Sequence, residues 1–206
     1  MNTREIKLII LGNSKAGKTS YILRYADNEF SFTISTTVGL DYKTKYETLE
    51  NGDKVKICIF DTNGQERFKS ISFNMLKNAE GVLLLYDITD RNSFDSIKGW
   101  MDSIFQYKDE SFPIVLIGNK SDREDDRVVQ TEEGENEAKK YNVKLFETSC
   151  KNNINISEPI LYLISKVIKT EKSTNISIVG KSHHKNHKKC CKKWKYYINQ
   201  NYIYFI

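Results

Sequence analysis

No stretch of this chain comes near the roughly 18 consecutive apolar residues that a membrane-spanning helix needs. Met1 to Gly12 lead directly into an apolar segment, without the charged start, apolar middle and small-residue cleavage site of an export signal. Nothing in the sequence therefore directs the chain into the secretory pathway. Cysteine is scarce: Cys58 and Cys150 stand alone, and Cys190 and Cys191 are adjacent. That pattern excludes a disulfide framework and a spaced zinc site, and it suits the reduced thiols of the cytosol. His183, His184 and His187 lie near the cysteine pair, but the lysines around them would repel a metal. Acidic residues are absent from 181–195, which hold seven lysines, and residues 196–206 carry no charged side chain at all. Set against a total of +5, those lysines leave a net charge of −2 on the first 180 residues. The basic character thus belongs to the tail. A slightly acidic body argues against nucleic acid as a ligand.

What is present is ordinary for a soluble protein: 206 residues, 39% apolar and 29% charged, enough for one domain with a real core and an extension. Ile6 to Leu11 reads as a buried strand, followed by a glycine turn and a helix from Gly17 to Asp27. Extended segments at Tyr42 to Leu49 and Val55 to Phe60 are joined by Asn51-Gly52-Asp53, a hairpin signal. Val82 to Tyr86 and Ile114 to Ile117 are short apolar runs of the kind found in buried parallel strands, and Lys144 to Glu147 is a sixth strand. Helices are expected at 68–79, 92–108, 131–141 and 154–170. Strand and helix alternating after a hairpin mean βαβ units, with a sheet covered on both faces. Apolar periodicity stops near Lys172, so the expected division is a globular domain at 1–171 and a flexible basic tail at 172–206.

Three motifs carry chemistry. Gly12-Asn13-Ser14-Lys15-Ala16-Gly17-Lys18-Thr19 fits G-x-x-x-x-G-K-[ST], directly after a strand and opening a helix. Its backbone amides and the helix N-terminus can cradle phosphates, across Ser14, Lys15, Ala16, Gly17, Lys18, Thr19 and Ser20. Lys18 would reach the outer two phosphates, and the Thr19 hydroxyl would bind magnesium. Asn119-Lys120-Ser121-Asp122 follows the strand Ile114 to Ile117. A carboxylate at Asp122 can accept two N–H bonds from guanine, whereas adenine would leave it buried and unpaired. Asp61-Thr62-Asn63-Gly64-Gln65-Glu66 begins at a strand end. There Asp61 can hold magnesium, the Gly64 backbone N–H can approach a γ-phosphate, and Gln65 can orient an attacking water.

In that order the motifs resemble the Ras superfamily and, within it, the Rab family, over roughly residues 5 to 170. The Rab likeness rests on Thr37-Val38-Gly39-Leu40-Asp41-Tyr42, Lys56-Ile57-Cys58-Ile59-Phe60-Asp61, Glu66-Arg67-Phe68-Lys69-Ser70-Ile71 and Leu85-Tyr86-Asp87-Ile88-Thr89. The resemblance implies an α/β fold: a three-layer P-loop NTPase domain with a six-stranded, mostly parallel sheet and one antiparallel edge strand. It also implies GTP and GDP as ligands with Mg2+, held by Thr19, Thr37 and Asp61. Phe30 would pack on the guanine ring, Asn119, Lys120 and Asp122 would read it, and Ser149, Cys150 and Lys151 would form the last guanine loop. Lys18, Gly64 and Gln65 would carry slow GTP hydrolysis. The implied partners are an exchange factor, a GTPase-activating protein, effectors and a prenyl-chaperoning inhibitor, at the cytosolic face of an endomembrane in vesicle traffic.

The sequence departs from that family at several positions. Lys15 replaces a small residue; it points into solvent or sits over the phosphates, and solvent is preferred. Asn63 replaces an alanine beside the γ-phosphate position, which points to slower hydrolysis or altered switching. Cys150 replaces an alanine, which a backbone contact to the base should tolerate. Tyr42, Phe60 and Met75 stand where the family presents an aromatic trio to effectors, and Phe73-Asn74-Met75-Leu76 lacks the paired tyrosines. The cysteine pair Cys190-Cys191, where the resemblance implies prenylation, is followed by residues 192–206, and such an internal pair would be a poor prenylation substrate. A mistaken translated end is preferred there over a genuine amphiphilic tail, and in either case the lysines suit a membrane surface. Rival readings are a binding module locked with GTP by loss of catalysis, and a Ras-type signalling GTPase; a Rho-type assignment lacks the expected insert.

Overall fold

A computed structural model describes residues 3–31, 41–49, 52–62 and 75–179. Its elements run β1 (Arg4–Leu11), α1 (Lys18–Asp27), β2 (Asp41–Thr48), β3 (Lys54–Asp61), β4 (Gly81–Asp87), α2 (Arg91–Asp95), α3 (Ile97–Phe105), β5 (Ile114–Asn119), α4 (Thr131–Lys140), β6 (Lys144–Thr148) and α5 (Ser157–Val179). The strands form one six-stranded sheet in the order β2-β3-β1-β4-β5-β6. β2 pairs antiparallel with β3, from Asp41 opposite Asp61 to Thr48 opposite Lys54, and every other pairing is parallel. This is the mostly parallel sheet with an antiparallel edge strand that the sequence pattern implies. The hairpin turn closes with Gly52 at φ +85° and the Leu49 amide donating to the Asp53 carbonyl at 2.9 Å.

The period-two alternation of the strands sorts their side chains into two apolar layers. Ile6, Leu8 and Ile10 of β1 join Ile57, Ile59, Leu83, Leu85, Val115 and Ile117 beneath Tyr21, Ile22 and Tyr25 of α1 and Ile160, Leu163 and Ile164 of α5. Ile9 and Leu11 face the other way, joining Val82, Leu84 and Leu116 against Ile97, Trp100, Met101 and Ile104 of α3 and Ala138 of α4. Each large side chain so buried stabilises the fold by about 1.5–3 kcal/mol relative to exposure. Because β1, β3, β4, β5 and β6 run the same way, their C-terminal ends gather along one edge of the sheet, where open α/β sheets bind ligands.

The helices differ from the sequence expectation in three places. The helix expected over 92–108 is two, broken at Ser96, whose Oγ donates back to the Asn92 carbonyl at 2.7 Å. The last helix starts at Ser157 rather than 154, because Asn153 and Asn155 take left-handed φ of 56° and 52° and Ile154 bridges to Ser149. Its backbone then continues to Val179, past the expected linker start at Lys172, with no glycine or proline between Lys172 and Gly180. Of the helix expected over 68–79, residues 75–78 are helical and 68–74 lie outside the described residues. The chain divides into two compact units, Met1–Glu171 and Lys172–Ile206, and both apolar layers belong to the first. No helix among the described residues is long and apolar enough to cross a membrane.

Candidate functional site

The loop from Gly12 to Gly17 turns β1 into α1 at the ligand-binding edge. Gly12 has φ +136°, and a Cβ there would lie 2.1 Å from the Leu85 carbonyl oxygen. Gly17 has φ +96°, and its Cβ would meet the Asn119 amide nitrogen at 2.3 Å. Only glycine permits both the backbone conformation and these approaches. Lys15, between them, takes a left-handed φ of 66° and is exposed. Gly17 caps α1 without a side-chain hydrogen bond, and no acid occupies the first turn. The positive end of the helix dipole is thus not offset by a carboxylate of the helix's own first turn. Ser14 is half-buried beside this end, Ala16 is buried, and Ser20 is half-buried in the first turn.

Lys18 is 6% exposed and donates from Nζ to the carbonyls of Gly12 at 2.9 Å and Asn13 at 2.8 Å. A buried ammonium requires such partners. Thr19 Oγ1 donates to Asp61 Oδ2 at 2.6 Å, so two of the three residues expected to hold a metal meet across 42 positions of sequence. A hydroxyl and a carboxylate are hard oxygen donors, the chemistry Mg2+ prefers. Thr62 fixes the end of β3 beside them, its Oγ1 donating to the Ile10 carbonyl at 2.7 Å.

The loop after β5 is tied both to this phosphate-type loop and to the loop after β6. Asn119 is 1% exposed; its Nδ2 donates to the Ala16 carbonyl at 2.9 Å, while its Oδ1 accepts from Thr148 Oγ1 at 3.2 Å and Cys150 Sγ at 3.4 Å. Asp122 Oδ1 accepts from the buried Ser149 hydroxyl at 2.6 Å. Lys120, at φ 68°, pairs with Asp87 at 2.5 Å. Burial pushes the Cys150 thiol up to about 12, with the Asn119 contact opposing only part of that rise. The thiol is therefore a neutral donor at neutral pH. Phe30 is half-buried with the Arg24 guanidinium 5.7 Å from its ring centroid, and Arg24 Nε donates to the Cys150 carbonyl at 2.7 Å. The exposed Lys151 contributes its carbonyl to Arg24 Nη2 at 3.4 Å.

The structure thus brings Ala16, Gly17, Lys18, Thr19, Asp61, Asn119, Lys120, Asp122, Ser149 and Cys150 to one edge. Thr37, Gly64 and Gln65, with Asn63, lie outside the described residues. The sequence reading assigned no role to Asp87 or Arg24. Asp87 could have been singled out as a carboxylate ending a parallel strand, like Asp61. Arg24 gave no signal of this tie, since besides Asn28 its partners, the Cys150 and Lys151 carbonyls, lie 126 and 127 positions away.

A sequence model of the Ras family matches residues 7–169. The Ras-related protein Rab-3C of Mus musculus is 41% identical over 158 residues, which cover 77% of this chain and 69% of that protein. The Ras-related protein Rab-10 of Diplobatis ommata is 38% identical over 190 residues, covering 90% and 94%. The GTP-binding protein ypt2 of Schizosaccharomyces pombe is 37% identical over 192 residues, covering 90% and 96%.

Proposed function

The chain belongs to the Ras family, on its Rab branch, and from that premise we propose how its own residues serve the switch. It is a small GTPase of vesicle traffic, binding guanine nucleotide and hydrolysing GTP; the relatives favour neither a locked binding module nor a Ras-type signalling protein. The observation that carries the residue assignment is the bond from Asn119 Nδ2 to the Ala16 carbonyl, which fastens the base-reading loop to the phosphate loop. One nucleotide spanning the two would have its base at Asn119, Lys120 and Asp122 and its phosphates at Ser14 to Ser20.

The Asp122 carboxylate accepts from guanine N–H groups, held by the Ser149 hydroxyl that already bonds it. Backbone amides of Ser149, Cys150 and Lys151 close on the base oxygen, and Phe30 covers the ring. Lys18 leaves the Gly12 and Asn13 carbonyls for the outer phosphates or shares its protons with them. Thr19, Asp61 and Thr37 would hold Mg2+, which when bound neutralises phosphate charge. Gln65 orients a water in line with the γ-phosphorus. A new O–P bond forms as the bond to the β–γ bridging oxygen breaks, giving GDP and inorganic phosphate. The Gly64 amide and Thr37 hold the γ-phosphate and release after cleavage, which is the switching event. Residues 32–40 contain no arginine, so an activating protein supplies one, worth about 10³ to 10⁵ in rate. Asn63 slows hydrolysis from its place beside Gly64, and Asn63→Ala accelerates it. An exchange factor, effectors that meet Tyr42, Phe60 and Met75, and a prenyl-chaperoning inhibitor complete the cycle. Lipid on Cys190 and Cys191 together with the tail lysines holds the protein at the cytosolic face of an endomembrane.

Single-turnover hydrolysis of GTP by the purified chain, beside its Gln65→Leu variant, tests the reading. A slow rate that falls in the variant is expected. Equal rates in the two would remove Gln65 from its role, and no turnover in either, with GTP still bound, would remove the hydrolytic assignment.

A further inference from the structure

Asn13 belongs to the phosphate loop, but its side chain has no part in the roles assigned above. Its backbone carbonyl is one of the two that hold the Lys18 ammonium, and it also accepts from the Ala16 amide at 3.3 Å. Its side chain leaves the loop altogether. Oδ1 accepts from the indole Nε1 of Trp100 at 2.9 Å; Nδ2 donates to Ser96 Oγ at 2.9 Å and lies 3.5 Å from the Asn92 carbonyl. Trp100 is 4% exposed within the apolar layer under α3, so its ring is a fixed mount. Ser96 is the joint between α2 and α3, and its hydroxyl donates to Asn92. A carboxamide is suited to this place because it accepts from one side and donates to the other.

The loop needs an external hold. Gly12, Lys15 and Gly17 all have positive φ, and glycines at two of the three leave many backbone conformations open. The position of the Gly12 and Asn13 carbonyls decides where the Lys18 ammonium waits. We propose that Asn13 is a positioning residue for the nucleotide: the Trp100–Asn13–Ser96 clamp fixes the first half of the phosphate loop on the joint of a broken helix, and so sets nucleotide retention. This rests on the assignment of the loop to the phosphates of GTP and GDP. The break at Ser96 then has a purpose, since the hydroxyl that interrupts the helix also receives Asn13.

The test is the rate of GDP release from the full-length chain, measured by displacement of a fluorescent GDP, with thermal midpoints recorded in parallel. Asn13→Ala and Trp100→Phe, which keeps a ring but removes the N–H, should each release GDP about five- to tenfold faster. The double variant should be no faster than Asn13→Ala alone, because that substitution already removes the indole bond that Trp100→Phe deletes, along with the bond to Ser96. Asn13→Asp retains the acceptor for the indole and lets Ser96 turn its proton, so it should restore release close to the original rate. Release unchanged in Asn13→Ala overturns the clamp, even if Trp100→Phe fails to fold. So do rates that multiply in the double variant, which would report two separate packing defects. A parent chain that binds no guanine nucleotide would overturn the function itself, an outcome distinct from unchanged release.

Discussion

Single residues in this site hold conformations or protonation states that their surroundings impose. Lys15 has a side chain where φ is +66°, which costs an L residue about 1–2 kcal/mol. Glycine would remove that cost but lose about 0.5–1 kcal/mol more entropy on folding. Lys15→Gly should therefore gain about 0.5 kcal/mol net, roughly 1–2 °C in melting temperature for a chain of this size. Lys15→Ala, which removes the ammonium without adding a third loop glycine, should leave GDP release unchanged because the side chain is exposed; altered release would place the ammonium over the phosphates instead. Cys150 offers a pH-dependent counterpart. Burial lifts its thiol from 9.0 to about 12, so between those values the folded chain keeps a proton that the unfolded chain loses. Stability from this group is complete below pH 9.0 and falls as pH rises toward 12. Urea unfolding followed from pH 8 to 11 should show the original chain losing stability more steeply than Cys150→Ala, in which the thiol is gone; parallel curves would refute it.

Elements meet here through a few long-range ties, and those ties mark the limit of what the sequence showed. Strands, and the motifs at their ends, were legible because each signal is local: alternation along β1, the glycines of the phosphate loop, the Asn-Lys-x-Asp run after β5. The break at Ser96 and the delayed start of α5 were not, because they follow from the contacts of Ser96 and from left-handed asparagines. The base-reading loop was placed by its Asn-Lys-x-Asp run at a strand end, and its physical hold is a pair of bonds, Asn119 to Ala16 and Ser149 to Asp122. A third tie lies behind them. Arg127, 7% exposed, makes two 2.8 Å bonds to Glu147 on β6 and a third to Glu124, and these partners hold its guanidinium charged. It joins the loop following Asp122 to the strand that leads into Ser149. Arg127→Met would leave Glu147 with the Thr131 hydroxyl alone among these side-chain donors. The cost should be about 3 kcal/mol, the low end for a broken buried pair because Glu147 keeps some solvent contact. Calorimetry should find a melting temperature lower by roughly 6–12 °C. GDP release should accelerate with it; a melting temperature within a degree of the original would show the tie to be idle.

At the scale of the whole molecule, the apolar burial of the described residues and the net positive charge occupy different parts of the sequence. The two apolar layers draw their residues from Ile6 to Val167, with Ile168 packed at the margin. The seven lysines of residues 181–195 stand beyond the last described residue, Val179, and follow a body of net −2. Removing residues 180–206 should thus subtract little from the free energy of folding but most of the attraction to an anionic surface. Each lysine near such a surface contributes about 1 kcal/mol, and the attraction decays within a Debye length. A chain ending at Val179 should melt at the same temperature as the full chain and bind GDP equally well. Sedimentation with vesicles containing phosphatidylserine should separate the two: the full chain pelleting at low salt, the shortened one staying in solution. Because the Debye length shrinks from about 10 Å at 0.1 M to about 3 Å at 1 M, high salt should release the full chain if lysines hold it. For a chain that carries no lipid on Cys190 and Cys191, retention at high salt would mean that the aromatic residues of 196–206 enter the bilayer interface, and that this segment is a membrane element in its own right.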